Sequence, residues 1–163
     1  MNIVYREATL EDLDVLKTFE QGVIAAERPF NSSIMPDPVT YYDIAQLIES
    51  EDSVIVVAVC ENSVNEVLNE SIVASGYAMI RPSRPYFDHK FHAYLGFMYV
   101  HPDFRGVGIN QEIIAYLSEW SQRKGMKYAY LDVYAENTGA IRAYEKAGFE
   151  PSIVNMKLKL EPT

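Results

Sequence analysis

The stretch YVHPDFRGVGINQEII, residues 99–114, sets a glycine-containing turn between an apolar run and the start of an amphipathic pattern. A helix start leaves several backbone N–H groups without intrahelical partners and carries partial positive charge, so it can seat an anion such as a phosphate. Gly106 and Gly108 remove side chains that would hold a ligand away from those amides, and Arg105 adds a full positive charge at the rim. Taken alone, the two glycines explain no more than a tight turn. A P-loop is excluded because no Lys-Ser or Lys-Thr follows them. A dinucleotide fingerprint is excluded because there is no G-x-G-x-x-G with an acid about 20 residues on. A second group of residues stands in NTGAIRAYEKAGF, 137–149. Asn137 is a strong helix N-cap, and Ala140 and Tyr144, four apart, share a helix face. Tyr144 on its own reads as a core aromatic with a satisfied hydroxyl.

Elements that position these residues can be read along the chain. NIVYRE at 2–7 has strand character, and Thr9 with Asp12 approximates a capping box before a helix carrying Leu13, Leu16, Phe19 and Val23. AERPFNSSIMPDP at 26–38 is a loop, and VTYYDIAQLIES predicts a second helix. SVIVVAVC and SIVASGYAMIRP form a hairpin across the polar stretch ENSVNEVLNE, which suits an irregular turn. KFHAYLGFMYV at 90–100 is the most apolar strand. After the glycine turn, Ile109, Ile113, Leu117 and Trp120 mark a helix that Gly125 ends. Residues 127–135 predict a strand, Gly148 closes the helix from Asn137, and the alternation in IVNMKLKL predicts a last strand at 153–160. The resulting order implies a mixed sheet with helices on both faces.

The chain has 163 residues, 48% of them hydrophobic, which predicts a single domain over 1–163 with a buried core. One cysteine, Cys60, leaves no disulfide framework or cysteine-rich metal site, and the expected setting is a reducing cytoplasm. MNIVYREATLEDLD is charged by its sixth residue, which argues against a signal peptide or membrane anchor. A net charge of -9 argues against general nucleic-acid binding. That charge is unevenly spread. Residues 1–100 hold 6 Lys and Arg against 15 Asp and Glu, while residues 101–163 hold 8 of each.

VHPDFRGVGI, the helix after it and NTGAIRAYEKAGF together resemble the coenzyme A motif and following segment of the GNAT family of N-acetyltransferases. The resemblance extends over the chain in element order, and over 98–149 in residue detail. It implies an α/β fold of mixed α+β character. The central sheet would be mixed and mostly antiparallel, with six to seven strands, about four helices on both faces and a splay between two parallel strands. It also implies acetyl-coenzyme A as cosubstrate, with no metal. Residues 105–110 (Arg105, Gly106, Val107, Gly108, Ile109 and Asn110) would bind the pyrophosphate. Asn110 stands where the family usually has Gly or Ala, and its backbone amide can still serve. By the same resemblance Met98, Tyr99 and Val100 would pair their backbone with the pantetheine arm, Asn137 would contact that arm, and Tyr144 would reach the sulfur.

Amine acetylation needs a neutral amine, stabilisation of a developing oxyanion, and a proton for the departing thiolate. A phenol of reference pKa about 10 is protonated at neutral pH and suits Tyr144 to the last task, as general acid. Many relatives carry a glutamate before the coenzyme A turn, where this chain has Gly96 and Phe97. The base is therefore left among His92, Asp132, Glu27 and ordered water. The expected partner is an amine-bearing small molecule or a peptide N-terminus, approaching as a cation over the acidic N-terminal part, with a homodimer as candidate assembly. A noncatalytic acyl-coenzyme A sensor or an interaction domain is the competing reading.

Overall fold

Along Ser53–Val64 the side chains of Val54, Val56, Ala58 and Cys60 alternate with those of Ile55, Val57 and Val59, and all seven are buried. A strand apolar on both faces must be covered on both sides. The computed structural model, which describes residues 2–64 and 67–162, shows how. Strands β1 (Asn2–Glu7), β2 (Ser53–Val64), β3 (Val67–Pro82), β4 (Phe91–Val100) and β5 (Ala129–Tyr130) lie in that order across one sheet. Every neighbouring pair is antiparallel except β4 with β5, which is parallel.

Helices α1 (Leu13–Glu27) and α2 (Ile44–Glu49) cover one face, packing Leu16, Phe19 and Ile44 on Ile55, Val57, Tyr77 and Phe97. Helix α3 (Ile109–Arg123) covers the other, setting Ile109, Ile113, Leu117 and Trp120 against Val54, Val56, Ala58 and Cys60. Burying each of these aliphatic side chains contributes about 1.5–3 kcal/mol, so Leu117→Ala, at a fully buried position, would cost about 2–5 kcal/mol. Helix α4 (Thr138–Lys146) follows β5 and has no buried residue.

The start of α1 is fixed by charge. Buried Asp12 accepts from the Thr9 backbone N–H at 2.8 Å and takes both ends of the Arg6 guanidinium, at 2.8 and 3.1 Å, which ties β1 to the helix start. The Arg6 hydrogen bonds, with that of Thr9, hold the Asp12 carboxyl below its usual range.

Two irregularities shape the end of β4. Ser75 of β3 faces Tyr99 but Tyr77 faces Gly96, so β4 carries an extra residue there, and Phe97 has φ 56°. A non-glycine residue held at positive φ costs on the order of 1–3 kcal/mol, and bulges of this kind re-aim the backbone. β4 and β5 also pair only at Ala93 with Ala129 and Tyr94 with Tyr130. Beyond Tyr94, β4 runs on to Val100 while the chain from Leu131 departs, giving the expected splay.

The fold class expected from sequence is observed, with five strands rather than six to seven among the described residues. The strand expected over 127–135 is in the ladder only at 129–130, because the splay takes the rest out of pairing range. The expected strand at 153–160 pairs with nothing and is exposed throughout. Its alternation is that of a strand, but no strand lies alongside it, and Lys157 alone reaches the loop after α1, at Asn31 and Ser33. The polar stretch at 61–70 is not a loose turn on its flanks, since 61–64 and 67–70 continue the β2–β3 ladder; its centre lies outside the described residues. The second helix is shorter than expected: Tyr41 and Tyr42 precede it, and Asp43 caps it through the Gln46 N–H at 3.2 Å.

Candidate active site

At the glycine turn the chain makes a short 3-10 turn, Pro102–Phe104, and enters α3 through Gly108 at φ 89°, with Gly106 at φ 79°. No side chain caps the first turn of α3. A Cβ placed on either glycine would meet no protein atom within 4 Å, so the turn fronts open space beside unpartnered amides. The residues present therefore fit a pyrophosphate. Val107 is exposed at the rim, buried Ile109 anchors the helix beneath, and Asn110 is half-buried on its first turn. Arg105 is exposed and its Nε donates to the Val100 carbonyl at 3.0 Å, which folds the guanidinium over the end of β4.

Just before the turn, Tyr99 stacks on Phe19 of α1 with centroids 4.5 Å apart, while Met98 packs with the α3-side core. Side chains of this stretch go to the two helix layers. Its backbone pairs with β3 on one side, and no ladder partner lies on the splayed side among the described residues. Gly96 could not carry the acid that the family resemblance leads one to look for, because a Cβ there would run into the Tyr77 ring.

Tyr144 lies on α4, which Asn137 caps by accepting from the Ala140 N–H at 3.3 Å. Gln111 Nε2 of α3 donates to the Ala143 carbonyl at 3.0 Å, so the helix of the turn and the helix of Tyr144 are joined. Tyr144 is half-buried, and that partial burial, then the negative charge of Glu27, pushes its phenol up to about 12.

Glu27, at the end of α1, has its own carboxyl raised by burial, against the lowering effect of a hydrogen bond with Tyr41. Tyr41 is pushed up to about 12, first by burial and then by the Glu27 charge. Buried Glu20, one side of α1 earlier, accepts from the backbone N–H groups of Tyr41 and Tyr42 at 3.0 and 2.8 Å, and Gln21 donates to the Val39 carbonyl at 3.0 Å. These bonds hold the connection between α1 and α2 against α1 and so place Tyr41 on Glu27. Asn31 in the same connection donates to the Tyr134 hydroxyl at 2.9 Å.

Of the other two candidate bases, His92 stands at the far end of β4 and Asp132 just past the last rung between β4 and β5. His92 bonds Ser83 Oγ at 2.8 Å and packs edge-on to Tyr130, at the beginning of β4 and the opposite end of that strand from the turn; burial lowers its pKa. Asp132 accepts from the Tyr94 hydroxyl at 2.9 Å, with the Arg81 guanidinium 3.6 Å above the Tyr94 ring. Two open surface cavities, of about 370 and 400 Å³, lie around Trp120 and Lys124 and around Tyr86 and Tyr128, away from the turn. Sequence reasoning missed Tyr41, Tyr134, Glu20 and the Phe97 bulge. The Tyr-Tyr pair before the Asp43 cap was the visible signal for Tyr41; nothing in the pattern marks the others. Among the described residues no group of three or more His, Cys, Asp and Glu is arranged to hold a metal ion, and no helix is long and apolar enough to cross a membrane.

An uncapped helix start with a glycine turn, beside a bulged strand that parts from its parallel neighbour, is the arrangement of an acyl-coenzyme A transferase fold. Residues 23–149 match the Acetyltransferase (GNAT) family, and the chain belongs to it. The Methanocaldococcus jannaschii protein named "Uncharacterized N-acetyltransferase MJ1207" is 42% identical over 53 residues, 32% of this chain and 24% of that protein. The match thus spans about a quarter of that relative's length. A mutant of the BH1408 protein from Bacillus halodurans shares the fold, with a TM-score of 0.80 at 21% identity over 97% of this chain and 99% of its own. So does AAC(6')-Iy in complex with the bisubstrate analog CoA-S-monomethyl-acetylneamine, with a TM-score of 0.70 at 18% identity over 99% of this chain and 100% of that one.

Proposed function

We propose that residues 1–163 form one acetyl-coenzyme A-dependent N-acetyltransferase domain that moves an acetyl group to a primary amine by direct attack. The observation that carries this reading is the glycine turn opening onto the uncapped amides of α3, a helix that Gln111 ties to the helix carrying Tyr144. AAC(6')-Iy, which has the same fold, was seen with a bisubstrate analog of an acetylated amine, and this supports the substrate class.

Each residue then has a task. Amides of residues 106–110 and Arg105 hold the pyrophosphate, and the backbone of Met98 to Val100 aligns the pantetheine arm along the open side of β4. The bulge leaves Phe97 and Met98 between two ladder pairs with β3, and their backbone N–H groups are assigned to meet the negative charge developing on the acyl oxygen. Glu27, made more basic by burial, takes the proton that the amine nitrogen loses as its bond to the acyl carbon forms. Tyr144 keeps its proton at neutral pH and presents it to the thiolate as the carbon–sulfur bond breaks. With a pKa of about 12, Tyr144 is a weaker acid than a thiol of about 8.5, so its hydrogen bond, more than full transfer, steadies the leaving sulfur. The proton balance closes through water, from Glu27 to the thiolate.

Cys60 is free and buried, consistent with work in a reducing cytoplasm. A screen of amines that follows free coenzyme A with a thiol reagent tests the reading. The expected result is thiol release that depends on both substrates. Cofactor binding with no release on any amine would instead make the domain an acyl-coenzyme A sensor, and absence of binding would overturn both.

A further inference from the structure

Arg81 is half-buried near the end of β3, and its guanidinium lies over the Tyr94 ring, 3.6 Å from the centroid. Among the described residues it makes no ion pair with a carboxylate. A cation taken partly out of water normally has an anion beside it, and a guanidinium packed on an aromatic face keeps its planar fork of N–H donors for one. At the other end of the same ring, the Tyr94 hydroxyl donates to Asp132 Oδ2 at 2.9 Å. Asp132 is exposed and likewise joins no ion pair among the described residues. One tyrosine thus carries a cation on its face and an anion at its hydroxyl, and the two charges do not meet.

These two charges stand at the mouth of the splay. Tyr94 pairs with Tyr130 in the last rung of β4 with β5, and Asp132 comes two residues later. A row of rings leads from there toward the proposed reaction centre: Tyr94 to Tyr77 with centroids 6.4 Å apart, Tyr77 to Tyr42 at 5.5 Å, and Tyr42 to Phe97 at 4.8 Å. Tyr41, next to Tyr42, hydrogen-bonds Glu27. Tyr94 and Phe97 are three positions apart on β4, a separation of at most about 10 Å. An amine held beside Tyr94 is therefore too far from the bulge to be the one that attacks there. An amine on a stem of about three or four methylenes starting from Tyr94 spans most of that distance.

We infer that Arg81 and Asp132 set the acceptor specificity, and that the acceptor is a free α,ω-diamino acid. Arg81 takes its α-carboxylate and Asp132 its α-ammonium, so that the opposite charges on one α-carbon match the two that Tyr94 keeps apart. The stem lies along the rings of Tyr94, Tyr77 and Tyr42, and the terminal amine is the one that reaches Glu27. Such an acceptor keeps one net positive charge, in accord with the acidic residues around α1. This rests on the transferase reading and names the substrate class of the same site; Asp132 holds an ammonium in it and is not the base.

The test follows free coenzyme A released by the native chain on L-lysine, L-ornithine, cadaverine, which lacks the carboxylate, and 6-aminohexanoate, which lacks the α-amine. Loss of either charged group should raise KM about 10- to 100-fold over the better of the two amino acids. Arg81→Met should raise KM for lysine about 10-fold more than KM for cadaverine, and Asp132→Asn should raise KM for lysine about 10-fold more than KM for 6-aminohexanoate. A merely structural role would move both members of each pair alike. Equal KM for lysine and cadaverine, or variants that weaken every acceptor equally, would overturn the inference and leave the transferase standing. Cofactor binding with no release on any amine would instead overturn the transferase reading, and the diamino acid with it.

Discussion

Gln111 Nε2 reaches across from α3 to the Ala143 carbonyl of α4 at 3.0 Å, one residue before Tyr144. The proposed phosphate seat and the proposed acid are thereby held in register by a hydrogen bond between their two helices. Loss of either end of this arrangement should have a distinct signature.

At the seat, Gly108→Val should abolish acetyl-coenzyme A binding. A valine Cβ would meet no protein atom, so the obstruction falls on the ligand; the φ of 89° adds a strain of about 1–3 kcal/mol. Calorimetry should show a Kd raised at least 100-fold in a protein of near-native circular dichroism and somewhat lower Tm. Unaltered affinity would remove the turn from the site.

Tyr144→Phe removes a hydroxyl and keeps the edge-on contact with Phe149. Turnover should fall about 10²- to 10⁴-fold with cofactor affinity nearly unchanged. Full turnover would mean that the Tyr144 hydroxyl does not steady the leaving sulfur.

Glu27 must be ionised to accept a proton, and its pKa is raised by burial. In the native enzyme kcat/KM should thus decline as pH falls through a value above the ordinary ~4.3 of a glutamate. Glu27→Gln should lower kcat about 10²- to 10⁴-fold and erase that acid limb. An acid limb that survives the substitution would assign it to another group.

Asp12→Asn addresses stability. Because the folded pKa of Asp12 is depressed, its contribution is present above the unfolded value of ~3.9 and disappears as pH falls through the folded value. Arg6 is 39% exposed, so water screens part of the attraction. The variant should lose about 1–2 kcal/mol at pH 7 and converge on the native protein in acid. Urea unfolding at several pH values would detect this, and a pH-independent difference would contradict it.

The acidic residues 1–100 supply α1 and the connection around Glu27 that border the splay, so a cationic acceptor should be drawn in by them. KM for the best amine should rise with ionic strength, and kcat/KM should climb as the amine loses its proton. A preference for neutral or anionic acceptors, or a KM indifferent to salt, would count against a cation.

Much of this was legible before any coordinates. Ile109, Ile113, Leu117 and Trp120 announce α3 by spacing, and Gly106 with Gly108 announce the turn, because helix periodicity and positive φ are local demands. Asn137 was legible as a cap for the same reason. The bulge at Phe97 was not, since it depends on which residue of β3 stands opposite. Nor was the choice among His92, Asp132 and Glu27, which rests on long-range placement: Glu20 pins Tyr41 to α1 from a separation of 21 residues. The tail at 153–160 shows the converse, a strand pattern that no strand of the structure pairs with.

The two-rung junction of β4 with β5 also has a bearing on motion. Residues from Ala129 to Phe149 share only those two ladder rungs with β4; side-chain bonds through Tyr94, Gln111 and Asn31 and the packing of Ala129, Leu131 and Phe149 on the α3-side core make up the rest of their attachment, and α4 has no fully buried residue. Regions with few fully buried residues open at a lower free energy than the core, so this part of the chain forms a leaf expected to open before the slab does. Gly106 and Gly108 belong to the slab, Asn137 and Tyr144 to the leaf. A molecule long enough to touch both latches the leaf shut, and the free energy of its binding becomes rigidity at the place where the thiolate must be met.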